Sequence, residues 1–422
     1  MSYNCRLIFF VRGVGVMKRV FLGFAFFLAG LAVASGSVYA QADKPLAPGL
    51  LGLDSSVGVL DKAIGDGKSA VEKALGIGIG GFLDTSYNWS SNHPKNPSNI
   101  SGRYFDKDHD KVSFNYFNLT LEKPEKDWGV GFKVVGDFGR SAELLREVTY
   151  WGGANRYPAA LRDESSAELR EAFLTFTIPV GEGIQVKGGK FVTLLGTEIL
   201  PAPGAYNDNI SRSFLFNLGV PLTHTGALLS YQVHKMVGVS AGVVTGWDDP
   251  HDNNGQPSML AGFSFAPADV FSLASNLAYG PEQWHNSGNK RFTWSNVATI
   301  KPMDPLAIYL EYTYGREENI TSSLRNGTWQ GWGAIASYSW TDRFNTALRG
   351  EIFKDSDGVR TGFARDTTLG EITLTGAYKF TKMLIGRAEV RQDWADQRFF
   401  ARGSSSADKN QTTLALQLIY TF

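Results

Sequence analysis

The last twelve residues of the chain, 411–422, read QTTLALQLIYTF, and their polarity alternates from one residue to the next. One parity is apolar and ends on an aromatic residue: Leu414, Leu416, Leu418, Tyr420 and Phe422. The other parity carries polar residues: Thr413, Gln417 and Thr421. Because successive side chains of a β-strand point to opposite faces, this pattern predicts a strand whose two faces meet different surroundings.

Segments of this kind recur from Ile79 to the end of the chain, and we count sixteen of them. The first has the core GGFLDTSYNWS and the last TTLALQLIYTF. The connectors after even-numbered segments are short, such as PVGEG and TD, whereas those after odd-numbered segments are long. This alternation is typical of outer-membrane barrels, which have short periplasmic turns and long extracellular loops. We therefore predict an all-β fold, a 16-stranded antiparallel transmembrane β-barrel, over residues 78–422.

Charged side chains indicate which face of the predicted strands points inward. In the fifteenth segment, Arg387, Glu389, Arg391 and Asp393 all share one parity. An Arg or Lys on the lipid face at the bilayer midplane costs about 2–4 kcal/mol, so these charges are expected to face a hydrated lumen. Lipid cannot satisfy free backbone groups, so the sheet must close on itself. A soluble β-sandwich would also alternate, but it does not account for the rhythm of the connectors.

The N-terminal region is expected to direct export. Residues 1–40 have the order of a secretory signal peptide, in which the apolar run VFLGFAFFLAGLAVA follows a basic start and leads to SVYA, with cleavage expected after Ala40. Met17, just before Lys18 and Arg19, is the expected first residue. Residues 41–77 are expected to form a periplasmic leader, a linker with a short helix. The predicted location is the outer membrane of a Gram-negative cell.

Composition excludes several classes of function. Removing residues 1–40 takes away four basic residues and no acidic one, which leaves 37 basic against 41 acidic residues without a concentrated basic run. A nucleic-acid partner is therefore not expected. The single cysteine, Cys5, lies in the removed segment, and the six histidines lack ligand spacing. We expect no metal, no cofactor, no catalytic residue and no enzymatic activity.

The third long connector is the best candidate for narrowing the lumen. Sixteen strands leave an aqueous channel, so some other element must set its size and charge selectivity. The connector spans Gly196 to Leu222 and is well placed to fold inward. The residues predicted to form the pore constriction are Glu198, Asp208, Arg212, Arg349, Arg387, Glu389 and Arg391. Two arrangements remain open: the acids face the arginines across the lumen and create a transverse field, or the charges pair along the wall and stiffen it.

Four short motifs carry a resemblance to a known family. They are LEKP at 121–124, GKFVTLLGTE at 189–198, NISRSFLF at 209–216 and PLTHTG at 221–226. With their surroundings they resemble the OmpL-like outer-membrane β-barrel porins, the β-barrel porin-2 type, over roughly residues 78–422. The resemblance implies an outer-membrane porin. It also implies that the following residues matter: Gly196, Glu198, Asn209, Arg212 and Thr223 to Gly226.

The expected function is passive diffusion of small hydrophilic solutes or ions through a water-filled channel in outer-membrane lipid. The alternative is a barrel that acts as a scaffold or sleeve, plugged by its leader or housing a periplasmic partner. Formation of a homo-oligomer is left open, because alternation alone does not rank the lipid-facing surfaces.

Overall fold

The computed structural model describes residues 65, 67–95, 99–125, 129–151, 165–321, 323–363 and 365–422. The expected signal peptide, residues 1–40, and the expected leader up to residue 64 lie outside the described residues.

Sixteen antiparallel strands form one closed barrel, in which each strand pairs with its neighbours in the chain and the first pairs with the last. The strands are β1 (Gly78–Ser90), β2 (Lys111–Lys123), β3 (Gly131–Phe138), β4 (Ala167–Ile178), β5 (Ile184–Val192), β6 (Thr223–His234), β7 (Val237–Val244), β8 (Ser258–Ala268), β9 (Phe271–Gln283), β10 (Asn286–Met303), β11 (Leu306–Glu317), β12 (Gly327–Ser339), β13 (Phe344–Ser356), β14 (Thr367–Lys379), β15 (Leu384–Ala395) and β18 (Asn410–Thr421). The short strands β16 (Phe400–Arg402) and β17 (Ser406–Asp408) form a separate hairpin in the last long loop. The predicted 16-stranded antiparallel barrel is confirmed.

The faces of β18 follow the predicted alternation. Leu416 and Leu418 are each 51% exposed on the outer surface, whereas Thr413 and Gln417 are buried in the interior. Leu416 pairs with Tyr87 of β1, so the same outer surface continues across the closure of the barrel. Alternation along one strand therefore specifies the environment of both faces.

Two short helices and one helical turn accompany the strands. Residues 67–75 form helix α1 just before β1, and α2 (Arg140–Trp151) lies in the second long loop. A π-helical turn spans Leu215–Gly219 in the third long loop. Among the described residues, no helix has the length and apolar character needed to cross a membrane.

The barrel interior contains apolar clusters, and in this respect it differs from the hydrated lumen expected from the sequence. The largest cluster joins inward side chains of the wall to residues of the long loops: Phe214, Leu215, Leu218, Trp247, Trp329, Phe353, Leu369, Ala395 and Phe400. A second cluster joins Leu145 of α2 to Leu200, Phe216 and Leu222. The long loops fold inward and remove their own apolar side chains from water, which stabilises them inside the barrel.

Candidate functional site

The third long loop, residues 193–222, runs through the inside of the barrel; we call it loop 3. Near its start, the backbone N–H of Gly196 donates to Ser295 Oγ of β10 at 3.0 Å. At its far end, the Tyr206 hydroxyl lies 2.5 Å from Thr421 Oγ1, and its ring packs edge to face on Phe82 at 5.4 Å. Thr421 is at the short-turn end of β18, so loop 3 reaches deep into the barrel and then returns.

Carboxylates of the wall hold the backbone of loop 3 at successive points. Glu389 of β15 accepts hydrogen bonds from the N–H groups of Ile210 at 2.6 Å and Ser211 at 3.0 Å. Glu351 of β13 does the same for Phe214–Leu215. Hydrogen bonds to an ionised acceptor are roughly twice as strong as neutral ones. We call these two pairs of contacts the carboxylate clamps.

Arg349 joins the loop to the wall through ion pairs. Its guanidinium donates to Glu198 Oε1 of loop 3 at 2.9 Å and to Glu371 Oε1 of β14 at 2.7 Å. It also donates to the carbonyl oxygen of Ser211 at 2.6 Å. Arg349 is only 1% exposed, so removal of either carboxylate would leave a buried charge with fewer partners.

Arg391 makes a second junction next to the first. Its guanidinium donates to Asp393 and to the carbonyl oxygen of Arg212, the latter at 2.7 Å, and it lies 3.7 Å from Glu371. The ring of Phe214 lies against the guanidinium, 4.7 Å from ring centroid to guanidinium carbon. Glu371 of β14 is therefore shared by Arg349 and Arg391, which lie on the two strands that flank β14.

The remaining predicted residues lie nearer the short-turn end. Asp208 accepts a hydrogen bond from Ser337 Oγ at 2.8 Å, and burial raises the pKa of this loop carboxylate. Arg387 donates to Gln417 Oε1 at 2.7 Å and to the carbonyl oxygen of Asn207.

Arg212, by contrast, is bound within loop 3 itself. It donates to the carbonyl oxygen of Ile210 at 3.0 Å and lies over the ring of Phe216 at 5.8 Å.

The seven residues predicted to form the constriction thus fall on one side of the barrel, between loop 3 and strands β12–β15 and β18. Glu198 touches Arg349 directly, and Glu389 and Arg391 hold adjacent loop residues. Three further acids of the network were not among the predicted constriction residues: Glu351, Glu371 and Asp393. They are cross-strand partners in register, and acids of one parity on adjacent strands are the signal that could have identified them.

Two cavities lie at the short-turn end, and loop 3 contributes to the lining of both. The larger, about 880 Å³, is lined by Asp208, Lys379 and Arg387 among others. The smaller, about 420 Å³, lies on the side of β4–β9 and includes Leu194 of loop 3 in its lining. Within the described ranges, no group of three or more His, Cys, Asp or Glu side chains is placed to hold a metal ion.

Solved structures of several outer-membrane proteins share this fold. The outer membrane channel DcaP of Acinetobacter baumannii is 14% identical with a TM-score of 0.53, covering 82% of this chain and 97% of that chain. An anion-selective porin from Comamonas acidovorans is 12% identical with a TM-score of 0.55, covering 82% and 99%. OprB of Pseudomonas putida, in a high-pH structure, is 12% identical with a TM-score of 0.51, covering 82% and 94%. At these identities the likeness concerns the fold.

Among curated proteins, no match to the chain was found. A family model does match: the family described as "Putative beta-barrel porin-2, OmpL-like" covers residues 76–422, which include the whole barrel and all of loop 3. This agrees with the resemblance carried by the four sequence motifs. The chain therefore belongs to this OmpL-like β-barrel porin family, and it is a channel protein of the outer membrane.

Proposed function

We propose that small hydrophilic solutes diffuse through the part of the lumen that loop 3 leaves free, and that the loop forms the constriction while it stays fixed to the wall. The predicted constriction residues then act by holding the loop in place. Of the two arrangements left open by the sequence, this proposal takes the one in which charges pair along the wall.

The carboxylate clamps are the observation that carries this proposal. Glu389 and Glu351 bind four backbone N–H groups of loop 3, and both carboxylates are themselves buried. Losing one partner of a buried charged hydrogen bond costs about 1–3 kcal/mol or more, so detaching the loop at both clamps would cost several such terms. A loop held in this way is expected to remain in place while solutes pass.

A cross-link between loop 3 and the wall tests the proposal. Asn209 Nδ2 of the loop donates to Thr375 Oγ1 of β14 at 2.7 Å, so the two side chains already meet. The expected mature chain has no cysteine, which makes Asn209→Cys with Thr375→Cys the only pair able to form a disulfide. In planar bilayers, we expect the oxidised double variant to conduct like the same protein after reduction.

The single variants Asn209→Cys and Thr375→Cys serve as controls for the substitutions themselves, and a gel without reductant verifies the disulfide. Current that disappears on oxidation and returns on reduction would show that the loop must leave the wall for conduction. A folded wild-type protein that passes no current at all would rule out the diffusion channel.

A further inference from the structure

Strands β4–β9 bring one apolar cluster together on the side of the lumen opposite Arg349, Arg387 and Arg391. Six consecutive strands contribute one residue each, and loop 3 contributes one more: Phe173, Phe191, Leu228, Val244, Leu260, Ala278 and Leu194. Four of them, Phe191, Leu228, Val244 and Leu260, are at most 3% exposed. We call this cluster the neck. Loop 3 therefore meets charge on one side and hydrocarbon on the other.

The neck lies directly beside a polar row of the same wall. Leu228, Gly242, Leu260 and Ala278 are successive cross-strand partners from β6 to β9. Two residues further towards the short-turn end, the corresponding partners are Ser230, Ser240, Gly262 and Asn276, and these line the 420 Å³ cavity. Two residues along a strand span about 7 Å. Leu194 belongs to the neck and also lines the cavity, so a small solute in the cavity contacts the polar row and the edge of the neck at once.

Lys187 of β5 is the cation at this boundary. It is the cross-strand partner of Leu228, and its Nζ lies 4.7 Å from the ring centroid of Phe173 and 5.6 Å from that of Phe191. Within the described part of the chain, its ammonium group makes no salt bridge. By contrast, Lys190 on the same strand is paired with Glu168. The acid that acts on Lys187 from nearby is Glu171, which is itself paired with Lys133 at 3.2 Å. A half-buried cation that lies against aromatic rings and lacks a direct carboxylate contact can accept an anion from outside.

We propose that the neck and Lys187 form a selectivity filter for small monoanions that carry an apolar body. This inference rests on the proposed function, because it names the solute class of the passage that loop 3 leaves free. The anionic group is neutralised by Lys187 while the hydrocarbon part lies against Leu194, the neck residue that packs on the buried cluster containing Leu228 and Leu260 and lines the cavity. The hydroxyl and amide groups of the polar row hydrate the charged end.

The physical basis is the difference in hydration between solutes. A narrow apolar passage tends to dewet, so an ion that keeps a full hydration shell is excluded. A solute with its own apolar surface gains about 25 cal/mol for each Å² that it removes from water there. The charge of Lys187 adds attraction for anions and repulsion for cations in a region of low dielectric constant.

Three six-carbon probes separate these effects in planar bilayers containing the full-length mature protein. Hexanesulfonate has the charge and the apolar body, gluconate has the same charge without the apolar body, and hexylammonium has the apolar body with the opposite charge. Reversal potentials under bi-ionic conditions give their relative permeabilities. We expect hexanesulfonate to exceed both of the others.

Two kinds of variant locate the filter. Lys187→Met keeps the length of the side chain and removes its charge, and it should reduce the permeability ratio of hexanesulfonate to hexylammonium about tenfold. Leu228→Ser or Leu260→Ser should wet the neck, raise gluconate permeability several-fold and reduce the preference for hexanesulfonate. Lys379→Met, which removes a lysine lining the 880 Å³ cavity, is the matched control and should change none of these ratios.

The outcomes separate this inference from the proposed function. Folding of the wild-type protein is verified by its heat-modifiable mobility on gels. If the folded protein passes no current, the proposed diffusion channel is refuted. Current without preference for hexanesulfonate over gluconate overturns the filter and leaves the channel intact. If Lys379→Met changed the permeability ratios and Lys187→Met did not, the solute path would lie on the other side of loop 3. This result would also overturn the filter. The wild-type ratios decide the question even if a variant fails to fold.

Discussion

Single glycines determine how closely large side chains pack against the wall. A Cβ on Gly315 of β11 would lie 1.9 Å from the buried ring of Trp329, whose Nε1 donates to the carbonyl oxygen of Gly219 at 3.0 Å. We predict that Gly315→Ala displaces Trp329 and destabilises the barrel by about 1–3 kcal/mol, as overpacking typically does. The loss should appear as a lower unfolding temperature in detergent. Gly188→Ala is the control, since a Cβ there meets nothing within 4 Å; equal losses in both variants would refute the explanation.

Asp248 lies in the loop between β7 and β8 and contacts the end of loop 3. Its buried carboxylate should make the stability of the fold depend on pH. Its Oδ1 accepts the N–H groups of Leu222 at 2.7 Å and Thr223 at 2.8 Å, and burial raises its pKa from 3.8 to about 6 even though Arg291 and Arg360 oppose the shift. Because the folded pKa is raised, the ionised carboxylate destabilises the fold above pH 6. This penalty disappears as the pH falls through 6 towards 3.8.

Asp248→Asn keeps the accepting oxygen and cannot ionise. At pH 8 the variant should be more stable than the wild type by an amount on the order of 3 kcal/mol, because one pKa unit corresponds to about 1.4 kcal/mol. This difference in stability should disappear near pH 4. Thermal unfolding followed by tryptophan fluorescence from pH 4 to pH 8 measures the difference. Asp269→Asn, at an exposed turn, controls for the change of charge alone. A difference that stays constant with pH would contradict the assignment.

At the scale of elements, loop 3 depends on the carboxylate clamps. Glu389→Gln places an amide beside two N–H donors and leaves only one accepting oxygen for them, so residues 210–211 should loosen. We predict more frequent current fluctuations in single-channel records, with the barrel still folded. Glu122→Gln, on the exposed end of β2, is the matched control and should leave the records unchanged. Quiet records from Glu389→Gln would mean that the loop does not need this clamp.

The sixteen strands could be predicted because period-two alternation is a local property of the sequence. The contacts of loop 3 could not, because they join residues as far apart as Ile210 and Glu389 and follow no period. The neck did have a signal that was missed. Its residues belong to adjacent apolar pairs, Leu228–Leu229, Val243–Val244 and Met259–Leu260, which make both faces of a strand apolar. Such a pair indicates that the inner face is packed rather than hydrated.

At the scale of the whole molecule, the two walls of the lumen have different tasks. The wall of β12–β15 carries buried ion pairs and binds loop 3, whereas the wall of β4–β9 carries serines, an asparagine and the neck. Sequence analysis located the first wall, because charges of one parity are conspicuous. It placed four of the predicted constriction residues there, Arg349, Arg387, Glu389 and Arg391, and left open whether the charges act across the lumen or pair along the wall. In the structure, Arg349 and Arg391 make direct contacts with carboxylates. Each wall borders a cavity, and the cavity on the side of β4–β9 is the one that adjoins the neck, because Leu194 belongs to both.

Adjacent residues of β8 test the assignment of inside and outside for the whole barrel. Phe263, near the middle of the strand, is 43% exposed and shares the outward parity of Met259, whereas Ser264 shares the inward parity of the buried Leu260. The 420 Å³ cavity borders this part of β8. Phe263→Arg should cost about 2–4 kcal/mol, because it places a charge in the hydrocarbon layer. Ser264→Arg places the same charge in water and should fold normally while reducing conductance by narrowing the cavity. The folded fraction after insertion into lipid vesicles, followed by bilayer recording, measures both effects. If both variants insert equally well and conduct alike, these two positions do not separate lipid from lumen.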